Sequence, residues 1–211
     1  MRARKKKWAD NEININELLV ENPGRCKGAW AGYFLNARPV HAEIGCGKGR
    51  FIVETAAAEP DINFIALERE KQVIISGLRR AREAELKNLA FILADADCLP
   101  DIFGPDEIKR LYINFCDPWP NRKKWAKRRL THENYLKMYE TFLDGPLYLK
   151  TDNRELFEFS LSQFEIRNWD VKNILWDLHS GGYAGLTTEY EDKFAAAGIP
   201  IMRCEATPKN L

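Results

Sequence analysis

The sequence predicts an α/β fold in which helices flank a mostly parallel sheet. Three observations indicate it. Short apolar runs alternate with helical patterns along most of the chain, the patterns are long enough to connect parallel strands, and a glycine-rich turn follows the first run directly. With 211 residues, 45% of them hydrophobic, the chain can bury one full core but is short for two. A single domain over residues 1–211 is therefore expected.

Seven strands are predicted, at 40–44, 63–67, 89–94, 110–115, 147–150, 171–178 and 199–205. Helices are predicted between them at 50–59, 71–86, 132–143, 154–164 and 189–197, with a short turn at 101–103. The last two strands break the alternation, because residues 164–171 are too short for another helix. A glycine-rich loop at 180–185 precedes the final helix.

Positive charge is concentrated in two short segments. The formal net charge is only +1, yet eleven of the 32 basic residues lie within positions 1–7 and 122–129, and neither segment contains an acid. The rest of the chain is therefore acidic overall, which indicates a localised site for a polyanion. For the N-terminal segment, at about residues 1–10, a flexible run of solvated charge is an equal alternative.

Several functional classes are disfavoured by composition. No apolar run approaches the roughly 20 residues of a membrane span, and no signal-peptide core follows Met1. The five cysteines are odd in number and include no C-x-x-C pair, so neither disulfides nor a metal site is expected. We expect a soluble, cytoplasmic protein that does not contact membranes.

The glycine-rich turn reads Glu43-Ile44-Gly45-Cys46-Gly47-Lys48-Gly49. Its glycines allow a tight turn and bring backbone N–H groups against a ligand at the helix N-terminus. A dinucleotide fingerprint would require Gly or Ala at position 50, where this chain has Arg50. Glu43 would repel a pyrophosphate and favours a cationic ligand. The sulfonium and ammonium groups of S-adenosylmethionine meet that requirement.

Acidic residues follow the next two predicted strands. Glu68 stands where a carboxylate can accept hydrogen bonds from both hydroxyls of a ribose, and Asp95-Ala96-Asp97 would lie beside an adenine. Open α/β sheets bind ligands at the carboxyl ends of their strands, so these acids and the turn are expected to share one crevice. Each acid taken singly is equally consistent with a loop residue or a helix cap.

The fourth predicted strand leads into Asp117-Pro118-Trp119-Pro120 and then almost at once into the second basic segment. Asp117 is expected at the carboxyl edge of the sheet, beside the transferable methyl group, with cations outside it to bind phosphates. Trp125 is suited either to stacking on a base or to anchoring the loop to the body of the protein.

Motifs along nearly the whole chain carry a more specific resemblance. They are Arg2-x-Arg4 with Trp8-Ala9, the glycine turn, Glu68, Asp95-Ala96-Asp97, Asn114-Phe115-x-Asp117-Pro118-Trp119-Pro120, Lys127-Arg128-Arg129-Leu130-Thr131, Lys150-Thr151-Asp152-Asn153 and Thr188-Glu189-Tyr190-Glu191. With these motifs the chain resembles the bacterial tRNA (guanine-N7-)-methyltransferase family, TrmB. The resemblance implies a Rossmann-like class I methyltransferase fold with a seven-stranded sheet. It also implies methyl transfer from S-adenosylmethionine to N7 of a guanine in the tRNA variable loop, at tRNA position 46.

The resemblance further implies roles for individual residues. The cofactor would contact Glu43, Gly45, Gly47, Gly49, Glu68, Asp95, Ala96 and Asp117. Asp117 and Asp152 would be catalytic, and the guanine would face Asp152, Thr188, Glu189, Tyr190 and Glu191. The tRNA backbone would be bound by Lys123, Lys124, Lys127, Arg128 and Arg129. The partner would be tRNA, and the protein a monomer or a homodimer.

Alternatives remain open. The chain departs from the family pattern at residues 121–126, where it is one residue longer, so the resemblance leaves open which individual contacts Lys123, Lys124 and their neighbours make. Thr188 with Glu191 is by itself a helix capping box, and Asp152 with Glu155 fits an N-cap. A methyltransferase acting on another base and a non-catalytic RNA-binding protein are the competing functions. A nicotinamide oxidoreductase is disfavoured by Arg50.

Overall fold

The computed structural model describes residues 17–120, 122–183 and 185–209. The predicted basic segment at about residues 1–10 lies outside this part of the chain, as does Asn121. In the described part seven strands form one sheet: β1 (Val40–Ile44), β2 (Asn63–Glu68), β3 (Leu89–Leu93), β4 (Arg110–Asn114), β5 (Leu147–Thr151), β6 (Asp170–Leu175) and β7 (Met202–Thr207).

Helices connect the strands. The α-helices of the described ranges are α1 (Trp30–Tyr33), α2 (Arg50–Ala58), α3 (Lys71–Glu83), α4 (Leu99–Ile102), α5 (Lys123–Ala126), α6 (Glu133–Tyr139), α7 (Arg154–Ile166) and α8 (Glu189–Ala196). Two short 3-10 helices cover Pro23–Cys26 and Ala96–Cys98. Helix α4 stands where a turn was predicted at 101–103. Helices α1 and α5 were not predicted, because four residues are too few to show a helical period.

The strand order is β3-β2-β1-β4-β5-β7-β6, with β1 to β5 parallel and β7 antiparallel to both its neighbours. The predicted mostly parallel sheet is therefore confirmed. The central strands are buried on both faces, which explains their continuous apolar runs. All five parallel strands direct their carboxyl ends to the same edge of the sheet, where the predicted acids and the glycine turn follow.

The last two strands differ from their predicted bounds. β6 ends at Leu175 and not at 178, and β7 begins at Met202 and not at 199. β6 is an exposed edge strand whose pairing with β7 is irregular between Lys172 and Leu175, and Asn173 has a positive φ of 52° there. A bulge of this kind shifts the register without a clear signal in the apolar pattern.

A hydrophobic core covers each face of the sheet. Helices α2 and α3 pack on one face, and α6 and α7 pack on the other together with Trp30. Helices α2 and α3 approach closely where two glycines meet. A Cβ on Gly49, which has φ of 74°, would lie 2.6 Å from the Cα of Gly77. Within the described ranges, no helix has the length and apolar character needed to cross a membrane.

Candidate active site

A cavity of about 380 Å³ opens at the carboxyl ends of β1 and β4. Its lining residues include Glu43 and the glycine turn after β1, together with Thr188, Glu189 and Tyr190 at the start of α8. Asn114 and Phe115, at the end of β4, also line the cavity. The structure thus joins the two motifs that the sequence placed about 140 residues apart.

The glycines of the turn have two different structural roles. Gly45 and Gly47 both have positive φ, and a Cβ built on either would meet nothing within 4 Å. Their backbone is therefore open to close approach by a ligand. The turn is held by β2, because the Gly45 N–H donates to the Leu67 carbonyl at 2.8 Å. Gly49 has no such space, because it packs against Gly77.

Glu43 is a buried acid at the base of the cavity, only 2% exposed. Its Oε1 accepts a hydrogen bond from Asn114 Nδ2 at 2.9 Å, whereas Oε2 is buried with no partner in the described part of the protein. Burial raises the pKa of Glu43 to about 7, although the Asn114 hydrogen bond opposes this rise. A buried carboxylate with an unpaired oxygen beside an open cavity fits a cationic or amine-bearing ligand such as S-adenosylmethionine.

Glu68 lies at the end of β2 and is nearly buried. Its Oε2 accepts from the Gly47 N–H at 3.0 Å and its Oε1 from the Glu70 N–H at 2.9 Å, so this carboxylate fixes the shape of the glycine turn. Asp95 is exposed and caps the 3-10 helix after β3, while Ala96 beside it is buried. Glu68 and Asp95 share the carboxyl edge with the cavity but are not among its lining residues.

The two predicted catalytic acids also lie at this edge. Asp117, beyond β4, is 65% exposed and forms an ion pair with Arg69, with Nη2 and Oδ2 3.3 Å apart. Asp152, directly after β5, is half-buried. Its interpretation as an N-cap is wrong, because the cap of α7 is Asn153, whose side chain accepts from the Leu156 N–H at 2.8 Å. Asp152 is therefore not required for capping.

The capping-box interpretation of Thr188 and Glu191 is confirmed. The Thr188 hydroxyl accepts from the Glu191 N–H at 2.9 Å, and Glu191 Oε2 accepts from the Thr188 N–H at 3.3 Å. Glu191 is fully buried, with Lys150 Nζ 3.0 Å from Oε2 and His179 Nε2 3.2 Å from Oε1. Both carboxylate oxygens of Glu191 are thus occupied by contacts within the protein, whereas Thr188, Glu189 and Tyr190 line the cavity.

Ion pairs join helix α8 to the glycine turn and to helices α2 and α3. Glu189 pairs with Lys48 of the glycine turn and with Arg80 of α3. Asp192, one turn further along α8, pairs with Arg50 at the start of α2. Sequence reasoning assigned no function to these basic residues. The pairing could not be predicted from the sequence, because each basic residue lies more than about 100 positions from its acidic partner.

Phe115 is a second feature that sequence reasoning missed. Its φ of 52° is unusual for a residue with a bulky side chain, and such backbone strain is concentrated at functional sites. The ring stacks on Tyr190 with a centroid distance of 6.4 Å and on Phe194 at 6.1 Å. Phe115 and Tyr190 therefore form an aromatic surface at the mouth of the cavity.

The basic segment after Asp117 is divided by burial. Lys124 and Lys127 are exposed, whereas the side chain of Arg129 is fully buried. The guanidinium of Arg128 lies 4.8 Å from the ring centroid of Trp119 and 4.9 Å from that of Trp125. The two tryptophan rings stack at 5.3 Å, which favours the anchoring interpretation of Trp125. The side chain of Lys123 lies outside the described part.

No group of three or more His, Cys, Asp or Glu side chains with metal-binding geometry occurs in residues 17–120, 122–183 or 185–209. The chemistry of the donor groups at the cavity instead matches an organic cation. The strand order, with antiparallel β7 between β5 and β6, and the glycine turn that joins β1 to α2 are those of the Rossmann-like class I methyltransferases.

Two solved methyltransferase structures resemble this chain in fold. The crystal structure of the 16S rRNA methyltransferase KamB has a TM-score of 0.65 at 15% identity, covering 87% of this chain and 94% of that chain. The 16S rRNA (adenine(1408)-N(1))-methyltransferase from Catenulisporales acidiphilia has a TM-score of 0.59 at 15% identity, covering 92% of this chain and 97% of that chain. At such identities the likeness shows the fold alone.

Sequence comparison identifies the family. A family model described as a putative methyltransferase matches residues 37–204. The tRNA (guanine-N(7)-)-methyltransferase of Clostridioides difficile (strain 630) is 44% identical over 215 residues, covering 100% of both chains. That of Bacillus subtilis (strain 168) is 44% identical over 209 residues, covering 97% of this chain and 98% of the relative. The chain belongs to the tRNA (guanine-N7-)-methyltransferase family.

Proposed function

We propose that the protein transfers the methyl group of S-adenosylmethionine to N7 of a guanine in the variable loop of tRNA, at tRNA position 46. One observation carries this proposal. The glycine turn and Glu43 line the same cavity as Thr188, Glu189 and Tyr190, so a methyl donor and a base can meet within it. The names of the full-length relatives support guanine N7 as the acceptor.

The cofactor would be held at the carboxyl edge of β1, β2 and β3. Glu43 offers its unpaired oxygen to a cationic group, and Gly45 and Gly47 allow the ligand to approach the backbone. Glu68 orders the turn and would accept hydrogen bonds from the ribose, and Asp95 and Ala96 would lie at the adenine end. S-adenosylmethionine supplies an electrophilic methyl group, so the residues of the protein need to bind and orient the two reactants.

The acceptor needs no general base. Guanine N7 carries an exposed lone pair and loses no proton on attacking a methyl carbon. The contribution of the protein is mainly geometric, and for well-aligned reactants it is worth up to roughly 7 to 11 kcal/mol. Positive charge develops on the purine during transfer, and Asp117 and Asp152 stabilise it as it grows.

The same carboxylates account for the choice of base. Guanine presents N1–H and a 2-amino group as donors, and an acceptor such as Asp117 or Asp152 is left unpaired when adenine enters. Glu191 has both oxygens engaged with Lys150 and His179, so it acts by holding Thr188 and Tyr190 in place. The aromatic surface of Phe115 and Tyr190 offers a stacking face for the base.

The proposal is tested by incubation with labelled S-adenosylmethionine and unmodified tRNA, followed by nucleoside analysis. The expected product is 7-methylguanosine, and a transcript with adenosine replacing that guanosine is expected to stay unlabelled. Label in any other nucleoside would refute the proposal. A heat-stability shift on adding S-adenosylhomocysteine tests the cofactor site separately. Without that shift, the competing hypothesis of a non-catalytic RNA-binding protein would be favoured.

A further inference from the structure

Arg129 has surroundings that a phosphate-binding residue does not have. It lies within a run of basic residues, yet its side chain is fully buried. Its guanidinium lies 4.5 Å from the ring centroid of Phe159 on α7, a contact that covers one face of the group. A tRNA phosphate outside the protein cannot reach this guanidinium without displacing what covers it. The guanidinium of Arg129 therefore lies inside the protein, where Nε and Nη2 donate hydrogen bonds and the buried Nη1 has no partner in the described part of the chain.

The hydrogen bonds of Arg129 go to the turn that follows Asp117. Nε donates to the Trp119 carbonyl at 2.7 Å, and Nη2 donates to the Pro118 carbonyl at 3.3 Å. Two donors of one rigid group thus hold two successive carbonyls, which restricts the rotation of this turn. Asp117 immediately precedes these two residues, so its backbone position depends on the same contacts.

The third hydrogen bond of Arg129 goes to helix α7, which follows the segment that contains Asp152. Nη2 lies 2.8 Å from Oε1 of Glu155, in the first turn of α7. That helix is capped by Asn153, the residue directly after Asp152. One guanidinium therefore connects the segment beyond β4, which carries Asp117, with the segment beyond β5, which carries Asp152.

We propose that Arg129 is a positioning residue that sets Asp117 and Asp152 relative to each other, and that it does not bind tRNA phosphates. The proposal rests on the proposed function, in which both carboxylates act on the guanine. Two different roles then fall to the basic segment. The exposed Lys124 and Lys127 attract the polyanion, while the buried Arg129 shapes the reaction centre.

A comparison of Arg129→Lys with Lys127→Ala tests the proposal. Lysine keeps the charge but lacks the planar fork that holds two carbonyls and a carboxylate together. Arg129→Lys is expected to lower kcat by about 10- to 100-fold, as small misplacements of reacting groups do. The salt dependence of tRNA binding, measured without cofactor, should stay as in the unmodified protein. Lys127→Ala should raise the Kd for tRNA and lower the salt slope by about one unit.

Each outcome supports or overturns the positioning role. If Arg129→Lys turns over within twofold of the unmodified protein, or if it lowers the salt slope as Lys127→Ala does, the positioning role is wrong. Glu155→Gln provides a second variant that leaves Arg129 in place. It should lower kcat by a smaller factor with an unchanged salt slope, and an unchanged kcat would also contradict the role. An unmodified protein that does not methylate tRNA would instead refute the proposed function.

Discussion

Lys150 and Glu191 form an ion pair inside the protein, with Nζ and Oε2 3.0 Å apart and side chains 6% and 0% exposed. Lys150 belongs to β5, two residues before Asp152, and Glu191 belongs to the first turn of α8. The ammonium group also donates to the Leu186 carbonyl at 3.2 Å. The pair therefore connects α8, whose first residues line the cavity, with β5, the strand that ends just before the proposed catalytic acid Asp152.

Replacing Lys150 by methionine should be strongly destabilising. Glu191 would remain buried without its cation, and breaking a buried pair in this way costs about 3 to 5 kcal/mol. The free energy of unfolding in urea measures the loss. Lys150→Met with Glu191→Leu should recover most of the stability, because neither charge is then left unpaired. If the double variant is no more stable than Lys150→Met alone, the loss of stability does not come from an unpaired charge on Glu191.

Methyl transfer in that double variant is expected to stay low. Leucine at position 191 cannot accept a hydrogen bond from the Thr188 N–H, so the half of the capping box made by the Glu191 side chain is lost, while the Thr188 hydroxyl can still accept from the backbone N–H of residue 191. Full activity in a stable double variant would show that the box is dispensable.

Glu43 should make the stability of the protein depend on pH in an unusual direction. Its pKa is raised from 4.5 to about 7 in the folded state. As pH rises from 4.5 to 7 the unfolded chain loses the proton while the folded protein keeps it, so stability falls across this window and the deficit stays constant above it. Glu43→Gln removes the deficit. At pH 8 the variant should be more stable than the unmodified protein by up to about 3 kcal/mol.

Urea unfolding of both proteins at about pH 5 and about pH 8 measures this difference. The advantage of the Glu43→Gln variant should be small at the lower pH and large at the higher pH, and an equal difference at both would contradict the assignment. The variant should also lose most of the heat-stability shift caused by S-adenosylhomocysteine, since the amide cannot pair with a cation. Stability gained together with binding lost is the expected signature of a ligand site.

Asp117→Asn and Asp152→Asn should each lower turnover more than tRNA affinity. Loss of a carboxylate beside the developing positive charge is expected to reduce kcat by about 10- to 100-fold, equivalent to roughly 1.4 to 2.8 kcal/mol. Asp61→Asn, at an exposed position away from the cavity, is the matched control. Measured kcat near that of the control in both variants would remove these acids from the mechanism.

Lys124→Ala with Lys127→Ala should weaken tRNA binding and lower the slope of log Kd against log salt concentration by about 1.4 to 1.8. Lys172→Ala, on the exposed edge strand β6, is the control and should leave the slope unchanged. An unchanged slope in the double variant would place the phosphate contacts elsewhere on the surface.

Local signals in the sequence were sufficient to predict the central strands of the sheet and part of the candidate site. The runs that form β1 to β5 are largely buried, so their hydrophobicity marks them clearly. The capping box of Thr188 and Glu191 is likewise a short-range pattern. Acids at strand ends were found because parallel topology brings those ends together.

Contacts between distant residues could not be read from the sequence. A run of lysines and arginines has the same composition whether its side chains are solvated or buried, and Arg129 packs on Phe159 and pairs with Glu155 only in the folded protein. The strained backbone of Phe115 and the pairing of Glu189 with Lys48 also need the assembled fold. The end of β6 could not be predicted correctly, because its residues are exposed and a bulge interrupts its pairing with β7.

The contact between Gly49 and Gly77 limits how this protein can change during evolution. Gly77 lies inside α3 and is not among the residues lining the cavity, yet a side chain there would meet Phe91 at 2.8 Å and push the helix off the glycine turn. A substitution at this core position would thereby alter the glycine turn, where we propose that the cofactor binds, through the contact with Gly49. Substitutions at Gly49 and Gly77 are therefore expected to be selected together, because a side chain at the buried Gly77 would displace the turn that contains Gly49.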